Sequence, residues 1–184
     1  AVVPDLIEAG LNVATEKPIC LRVDTAHKLA DKASEKGVIY QVGYMKRHDP
    51  AVKFARQLIS NWKESGECGK LCYVRITMPP GNWLYEIEPP IDMGDPRPQY
   101  EGEYPEPPPE WMPDEMKKRY DAFVNFYIHQ VNLLRYLIGE EYDVKYVDPL
   151  GRVMVCVSES GATCLLEMAP YGLKHRWEEF SKIC

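Results

Sequence analysis

The sequence predicts an α/β protein in which a doubly wound parallel sheet is followed by an α+β part with an open, mostly antiparallel sheet. Helices and short apolar strands alternate up to residue 43, which is typical of βαβ units. After residue 143, strands follow one another with only short turns between them. The change of pattern near residue 48 predicts two domains, 1–48 and 49–184.

The first domain is predicted to alternate short helices with buried strands. We expect a helix over 3–9 that ends at Gly10, a residue able to adopt the left-handed conformation. A short apolar strand is expected over 11–16. Asp24 or Thr25 is expected to cap the next helix, since short polar side chains accept hydrogen bonds from free N–H groups there.

Two further signals continue this pattern. Gly37 lies where a glycine often ends a helix, and 38–43 is a β-rich run that predicts a second parallel strand. Asp49 and Pro50 predict the start of another helix, with aspartate as N-cap and proline at the first helical position. This helix is expected to run to about residue 63.

A proline-rich acidic loop is predicted over 79–113, after a strand over 70–78. The loop holds 11 of the 16 prolines and eight acidic residues against one arginine. Proline removes hydrogen-bond donors and blocks helix formation, so we expect an extended segment. It is either a solvated excursion or a lid near a site.

The longest helical pattern covers 115–138, and strands follow it. The turns of this region are expected at Gly151 and at 159–161. The predicted strands are 144–149, 152–158, 162–169 and 173–183.

The composition excludes several classes of protein. The chain has 184 residues, of which 45% are hydrophobic and 27% charged, as in globular proteins. A net charge of −6 and scattered basic residues argue against a nucleic-acid surface. We find no membrane span, no signal peptide and no metal-ligand spacing. We read the six cysteines as reduced thiols of a cytoplasmic protein.

Lys17 is the first candidate functional residue. It lies between Glu16 and Pro18, directly after the strand predicted over 11–16. Open α/β sheets bind ligands at the carboxyl edge of their strands, where this lysine is expected. An ordinary strand-to-helix turn with a solvated lysine is the alternative.

A polar stripe on the long helix is the second candidate. Ala122, Asn125, His129, Asn132 and Tyr136 are spaced by three and four residues and share one side of the helix. His129 is either a core histidine held between two amides or a proton donor or acceptor in a polar cavity. In the second case the two asparagines would orient it or bind substrate hydroxyls.

These residues resemble the Gfo/Idh/MocA family of oxidoreductases, named after glucose–fructose oxidoreductase and inositol dehydrogenase. The resemblance covers most of residues 1–170, apart from the proline-rich loop. It is carried by four stretches: Glu8–Pro18, Asp24–Gly43, Val42–Pro50 and Asn125–Gly139.

The resemblance implies an NAD- or NADP-dependent oxidoreductase that acts on a sugar, a cyclitol or a related polyol. The fold it implies is the C-terminal part of a Rossmann-like domain followed by an α+β domain with an open sheet. Lys17, His129 and Asn125 would be catalytic, and Glu16, Lys17 and Pro18 would shape the cofactor site. Asn132 and Tyr44 are assigned to substrate binding.

The sequence departs from the family in two ways. The family often has aspartate at the positions of Asn125 and Asn132, and an amide does not share a proton as a carboxylate does. The chain also contains no Gly-x-Gly pair, the turn that cradles pyrophosphate. We therefore expect a fragment that lacks the first half of the Rossmann domain and the far end of the sheet in the second domain. We expect this fragment to bind NAD(P) weakly or not at all and to be inactive alone.

Three interpretations remain open. The chain is part of a dehydrogenase, a non-catalytic carbohydrate-binding descendant, or an oligomerisation module whose antiparallel sheet pairs with another copy. A small polyol or sugar and a second copy of the chain are the expected partners, with neither nucleic acid nor membrane involved. The substrate and the choice between NAD and NADP are not readable from these residues.

Overall fold

The computed structural model describes residues 2–79, 81, 107–168 and 177–184. In chain order the elements are α1 (Val3–Glu8), β1 (Val13–Glu16), α2 (Val23–Lys36), β2 (Tyr40–Gly43), a 3-10 turn (Met45–His48), α3 (Pro50–Ser65), β3 (Tyr73–Thr77), α4 (Asp114–Ala122), a π-helical turn (Phe123–Tyr127), α5 (Ile128–Ile138), β4 (Tyr142–Val147), β5 (Val153–Ser158), β6 (Thr163–Glu167) and β7 (Phe180–Ile183).

The chain forms two compact units. The first unit contains the described residues of Ala1–Tyr44 and Pro90–Ile128, and the second those of Met45–Pro89 and His129–Cys184. The domain boundary proposed from sequence, after residue 48, stays a prediction. Most of the predicted loop over 79–113 and the first part of the predicted strand over 173–183 lie outside the described residues.

The first unit is built on a parallel pair of strands. β1 and β2 pair in register from Val13 opposite Tyr40 to Glu16 opposite Gly43. A buried apolar cluster packs α1 and α2 against β1 and consists of Ile7, Val13, Leu29 and Ala33. The predicted parallel α/β arrangement is thus confirmed for these residues.

The predicted cap of α2 is wrong. The helix begins at Val23, its N-cap is Arg22 in extended conformation, and no side chain caps it. Asp24 is therefore already helical, and its carboxylate accepts a hydrogen bond from Arg22 Nε at 3.2 Å instead. The predicted end is correct, since Gly37 adopts a left-handed conformation with φ of 63°.

The second unit is a five-stranded sheet with the strand order β4-β5-β6-β3-β7. β3 and β6 pair in parallel, whereas every other neighbouring pair is antiparallel. The predicted open, mostly antiparallel sheet is therefore confirmed.

Burial alternates along the strands of this sheet, so that one face is buried and the other partly open. The buried positions of β3, β5 and β6, together with five residues of α5, supply most of the core of the unit. Asp49 caps α3 as predicted, since its carboxylate accepts from Ala51 N at 2.7 Å and from Val52 N at 3.2 Å.

Candidate functional site

Lys17 follows β1 at the carboxyl edge of the parallel pair. Its Nζ donates a hydrogen bond to the main-chain carbonyl oxygen of Asn125 and lies 3.5 Å from Asn125 Oδ1. The bond joins residues 108 positions apart within the first unit. The structure thus brings together two of the three residues that the sequence predicts to be catalytic.

Asn125 lies in a π-helical turn, which no sequence pattern predicted. The turn covers Phe123–Tyr127 and is marked by the bond from Ile128 N–H to Phe123 O, five residues earlier. Such turns are rare and often occur at functional sites. Burial raises the pKa of Tyr127 in the same turn, so its phenol is neutral at physiological pH.

Glu16, Pro18 and Tyr44 lie at the same edge of the first unit as Lys17. Glu16 is opposite Gly43, so Lys17 and Tyr44 are the residues that follow the paired strand ends. The backbones of β1 and β2 approach each other closely there. A Cβ atom added to Gly43 would lie only 3.2 Å from Thr15 O. The peptide bond between Lys17 and Pro18 is cis.

Asn132 belongs to the second unit and is held by an arginine. Arg47, in the 3-10 turn, donates from Nε to Asn132 Oδ1 at 2.6 Å. Its guanidinium also lies over the Tyr136 ring, 5.2 Å from the ring centroid. Two members of the predicted polar stripe therefore share one cationic partner.

A second polar cluster lies beside this contact in the same unit. Glu179 accepts hydrogen bonds from Lys46 Nζ at 2.5 Å, from Gln130 Nε2 at 3.2 Å and from Trp177 Nε1 at 2.7 Å. Sequence reasoning missed Lys46, Arg47, Gln130 and Glu179 as site residues. The only local signal was the pair of adjacent basic residues, Lys46 and Arg47, just before the α3 cap.

His129 begins the second segment of the second unit and lies in α5. Its side chain is half-buried, and its Nδ1 atom is buried. The neighbouring Gln130 is almost fully buried and bonded to Glu179. The pairing of His129 with Lys17 in one reaction stays a prediction.

The described residues form neither a metal-binding cluster nor a membrane-spanning helix. Among the described residues, no three His, Cys, Asp or Glu side chains are close enough to hold a metal ion together. Within the same ranges, no helix has the length and apolar character required to span a bilayer.

The sequence of this chain is similar to those of known oxidoreductases. Residues 1–44 match the family described as "Oxidoreductase family, NAD-binding Rossmann fold" (GFO_IDH_MocA). The chain is also 30% identical over 148 residues to scyllo-inositol 2-dehydrogenase (NAD(+)) of Bacillus subtilis strain 168, which covers 80% of this chain and 33% of that protein. The resemblance to the Gfo/Idh/MocA family is therefore confirmed.

Solved structures of the family share the fold. The scyllo-inositol dehydrogenase of Lactobacillus casei, with bound NAD(H) and scyllo-inositol, matches 98% of this chain and 50% of its own at a TM-score of 0.61 and 15% identity. GenD2 from gentamicin A biosynthesis, in complex with NAD, matches 99% of this chain and 47% of its own at a TM-score of 0.63 and 19% identity. The chain spans about half the length of these two structures. It spans 33% of the length of the curated relative from Bacillus subtilis.

Proposed function

We propose that this chain is part of an NAD(H)-dependent oxidoreductase that oxidises a hydroxyl group of a cyclitol or related polyol. The observation that carries the proposal is the position of Lys17. It follows β1 at the ligand-binding edge of the sheet, within the family-matched residues, and bonds to the π-helical turn of Asn125. NAD(H) and a polyol are preferred because the curated relative is named scyllo-inositol 2-dehydrogenase (NAD(+)).

The residues at this edge fit one end of such a cofactor. Beside the paired strand ends, Glu16 offers an acid, Lys17 an ammonium and Tyr44 a phenol. Pro18 follows the lysine directly. No Gly-x-Gly turn occurs in the sequence, so these residues suit the nicotinamide end and offer no cradle for the pyrophosphate. A bound NAD⁺ would supply the hydride acceptor for oxidation of the carbinol carbon.

The roles of the side chains follow from their chemistry. The ammonium of Lys17 lowers the pKa of the substrate hydroxyl by stabilising the developing alkoxide. His129 is the proposed acceptor of the hydroxyl proton, since the ordinary pKa of imidazole is close to neutral. The main-chain oxygen of Asn125 holds the Lys17 amine in place, and this contact requires no carboxylate at position 125.

Kinetics of NADH formation test the proposal, with scyllo-inositol and myo-inositol as substrates, on this chain and on any longer protein that contains it. Lys17→Ala and His129→Ala are each expected to lower kcat/KM by about 10²–10⁴-fold. Lys28→Ala, a change on the exposed side of α2, is the matched control and should leave it unchanged. Turnover by the Lys17→Ala protein at the wild-type rate would refute the catalytic role.

One observation favours a second function, assembly with another copy through the sheet. Tyr146 pairs with Val155, and Val155 with Leu165, on the face opposite the buried Cys156 and Cys164. Tyr146 is 55% exposed, and Phe180 at the other edge of the sheet is 53% exposed. Exposed apolar side chains such as these are typical of interfaces, and the Arg75–Glu167 ion pair lies on the same face of the sheet.

Sedimentation velocity tests this second function. Val155→Glu is expected to convert an oligomer to a monomer, because a charge buried in an apolar interface has no partner. Glu159→Gln, in the exposed turn after β5, serves as the control. A wild-type chain that sediments as a monomer at all concentrations would rule out assembly through this face.

A further inference from the structure

Arg47 makes two contacts that together fix one side chain of the polar stripe. Its Nε donates to Asn132 Oδ1 at 2.6 Å, and its guanidinium lies 5.2 Å from the centroid of the Tyr136 ring. Tyr136 is one turn after Asn132 in α5, so the ring and the amide form a cradle for the planar guanidinium.

The contact determines which way the Asn132 amide points. A guanidinium has only donors, so the atom of Asn132 that faces Arg47 is the carbonyl oxygen. The NH₂ group of Asn132 is therefore directed away from Arg47, and it donates to no other described residue. An amide held in this way offers hydrogen-bond donors and no second orientation.

We infer that Arg47 is a positioning residue that locks Asn132 as a hydrogen-bond donor to the substrate. The positioning step stands on the Arg47 contacts, whereas the substrate step rests on the proposed polyol function. With aspartate at position 132, as is common in the family, Arg47 would hold a carboxylate, which only accepts hydrogen bonds. The asparagine of this chain thus replaces an acceptor by a donor suited to a hydroxyl or carbonyl oxygen.

A proton–nitrogen correlation spectrum of the full chain tests the positioning step without any activity. The side-chain NH₂ signals of Asn132 are assigned by their loss in Asn132→Leu. Arg47→Ala is expected to move them to the positions of a free amide, because the amide regains both orientations. Arg152→Ala, in the exposed turn before β5, is the control and should leave them unmoved.

Unmoved Asn132 signals in Arg47→Ala would overturn the inference. If Arg47→Ala does not fold, Arg47→Lys carries the same test. Lysine keeps the charge, but it lacks the planar guanidinium that stacks on Tyr136 and bonds to the amide. The signals are therefore expected to move in this variant as well.

Titration with scyllo-inositol, followed by kinetics, tests the substrate step. Arg47→Ala and Asn132→Leu are each expected to raise KM about 10-fold with kcat within about 2-fold, and the double variant no further, because Arg47 acts through Asn132. Asn132→Asp should raise KM equally, although it keeps the Arg47 contact. Independent, multiplying effects would overturn the inference, as would an unchanged KM in Asn132→Asp.

The two proposals fail in different ways. If scyllo-inositol moves no signal of this chain or of a longer protein that contains it, while Arg47→Ala moves those of Asn132, the polyol function is wrong and the positioning stands. If the polyol binds and is oxidised while the side-chain NH₂ signals of Asn132 do not move in Arg47→Ala, the function stands and the inference fails.

Discussion

The two units of this chain differ in how much their described residues bury. The buried apolar cluster of the first unit has four members, Ile7, Val13, Leu29 and Ala33. The second unit buries alternate residues on three strands and five residues of one helix, several of them with no exposed surface. Lys17 and Asn125 therefore belong to the unit with the smaller described core.

This difference has a physical consequence. A two-stranded sheet alone has too little buried area for independent stability, whereas a five-stranded sheet covered on one face has enough. We expect the first unit to open at a lower free energy than the second, as is common for ligand-binding regions. Matched substitutions, one in each unit, put this expectation to the test.

The largest effect is expected from core leucines. Leu134 has 0% of its surface exposed in the second unit, and Leu29 has 8% in the first. Leu134→Ala is expected to lower the free energy of unfolding of its unit by about 2–5 kcal/mol, through lost burial and the cavity left behind. Leu29→Ala should cost about 2 kcal/mol, since its site is less enclosed and can collapse more easily.

Amide hydrogen exchange measures the two units separately in the same sample. Leu150→Ala is the control, because that side chain is 61% exposed and its loss should change the free energy by less than about 0.5 kcal/mol. Equal losses for Leu29→Ala and Leu134→Ala would show that the two cores are equally well packed.

A partly buried tyrosine in each unit gives the next comparison. Tyr120 donates to Leu21 O at 2.8 Å in the first unit, and Tyr142 donates to Val131 O at 3.3 Å in the second. Burial raises the pKa of both phenols, that of Tyr142 to about 12. The folded state therefore holds the Tyr142 proton above about pH 10, where the unfolded chain loses it.

Alkaline unfolding should reveal this difference. The stability from the neutral Tyr142 phenol is complete below about pH 10 and is lost as the pH rises to about 12. Tyr142→Phe is expected to cost about 1 kcal/mol near neutral pH and to make the alkaline decline shallower. Tyr120→Phe should have a smaller effect on the slope of the free energy of unfolding against pH.

Urea titrations from about pH 8 to about pH 12 measure these slopes. Burial also raises the pKa of the Cys156 and Cys164 thiols to about 11, and these thiols titrate in every variant. Because these two thiols also contribute to the raised pKa of Tyr142, the difference between wild type and Tyr142→Phe reports the phenol together with its coupling to them. An identical slope in both would mean that the phenol ionises at its ordinary pKa.

Local sequence signals predicted the elements of both units well. Three of these signals depend on only a few adjacent residues. They are the alternation of apolar residues along β5 and β6, the glycine that ends α2 and the aspartate that caps α3. The family resemblance added what local signals do not contain, the assignment of Lys17, Asn125 and His129 to one chemistry.

Long-range contacts were beyond local reasoning. The parallel pairing of β3 with β6 joins strands separated by the long helix, and no residue pattern fixes that register. Arg47 and Asn132 are 85 positions apart, and their contact depends on the packing of the 3-10 turn against α5. No sequence pattern over Phe123–Tyr127 predicted the π-helical turn.

The two aspartates predicted as helix caps provide the smallest and sharpest comparison. Asp49 accepts two backbone N–H bonds at the start of α3, while Asp24 in the first unit is bonded to Arg22 and caps nothing. Asp49→Ala should cost about 1 kcal/mol of the free energy of unfolding, because both N–H groups lose their acceptor. Asp24→Ala should cost less than half as much, since it removes only an exposed ion pair and a charge near the helix N-terminus.

Urea titration of both variants at neutral pH decides between the sequence signal and the structure. The two aspartates have the same chemistry but different positions, because Asp49 is the N-cap of α3 whereas Asp24 is the second residue of α2. Asp49→Ser should recover most of the loss, because serine is also a good cap, whereas Asp24→Ser should be no better than Asp24→Ala. A large loss for Asp24→Ala that serine repairs would mean that α2 begins two residues later in solution, at Thr25, and that Asp24 caps it after all.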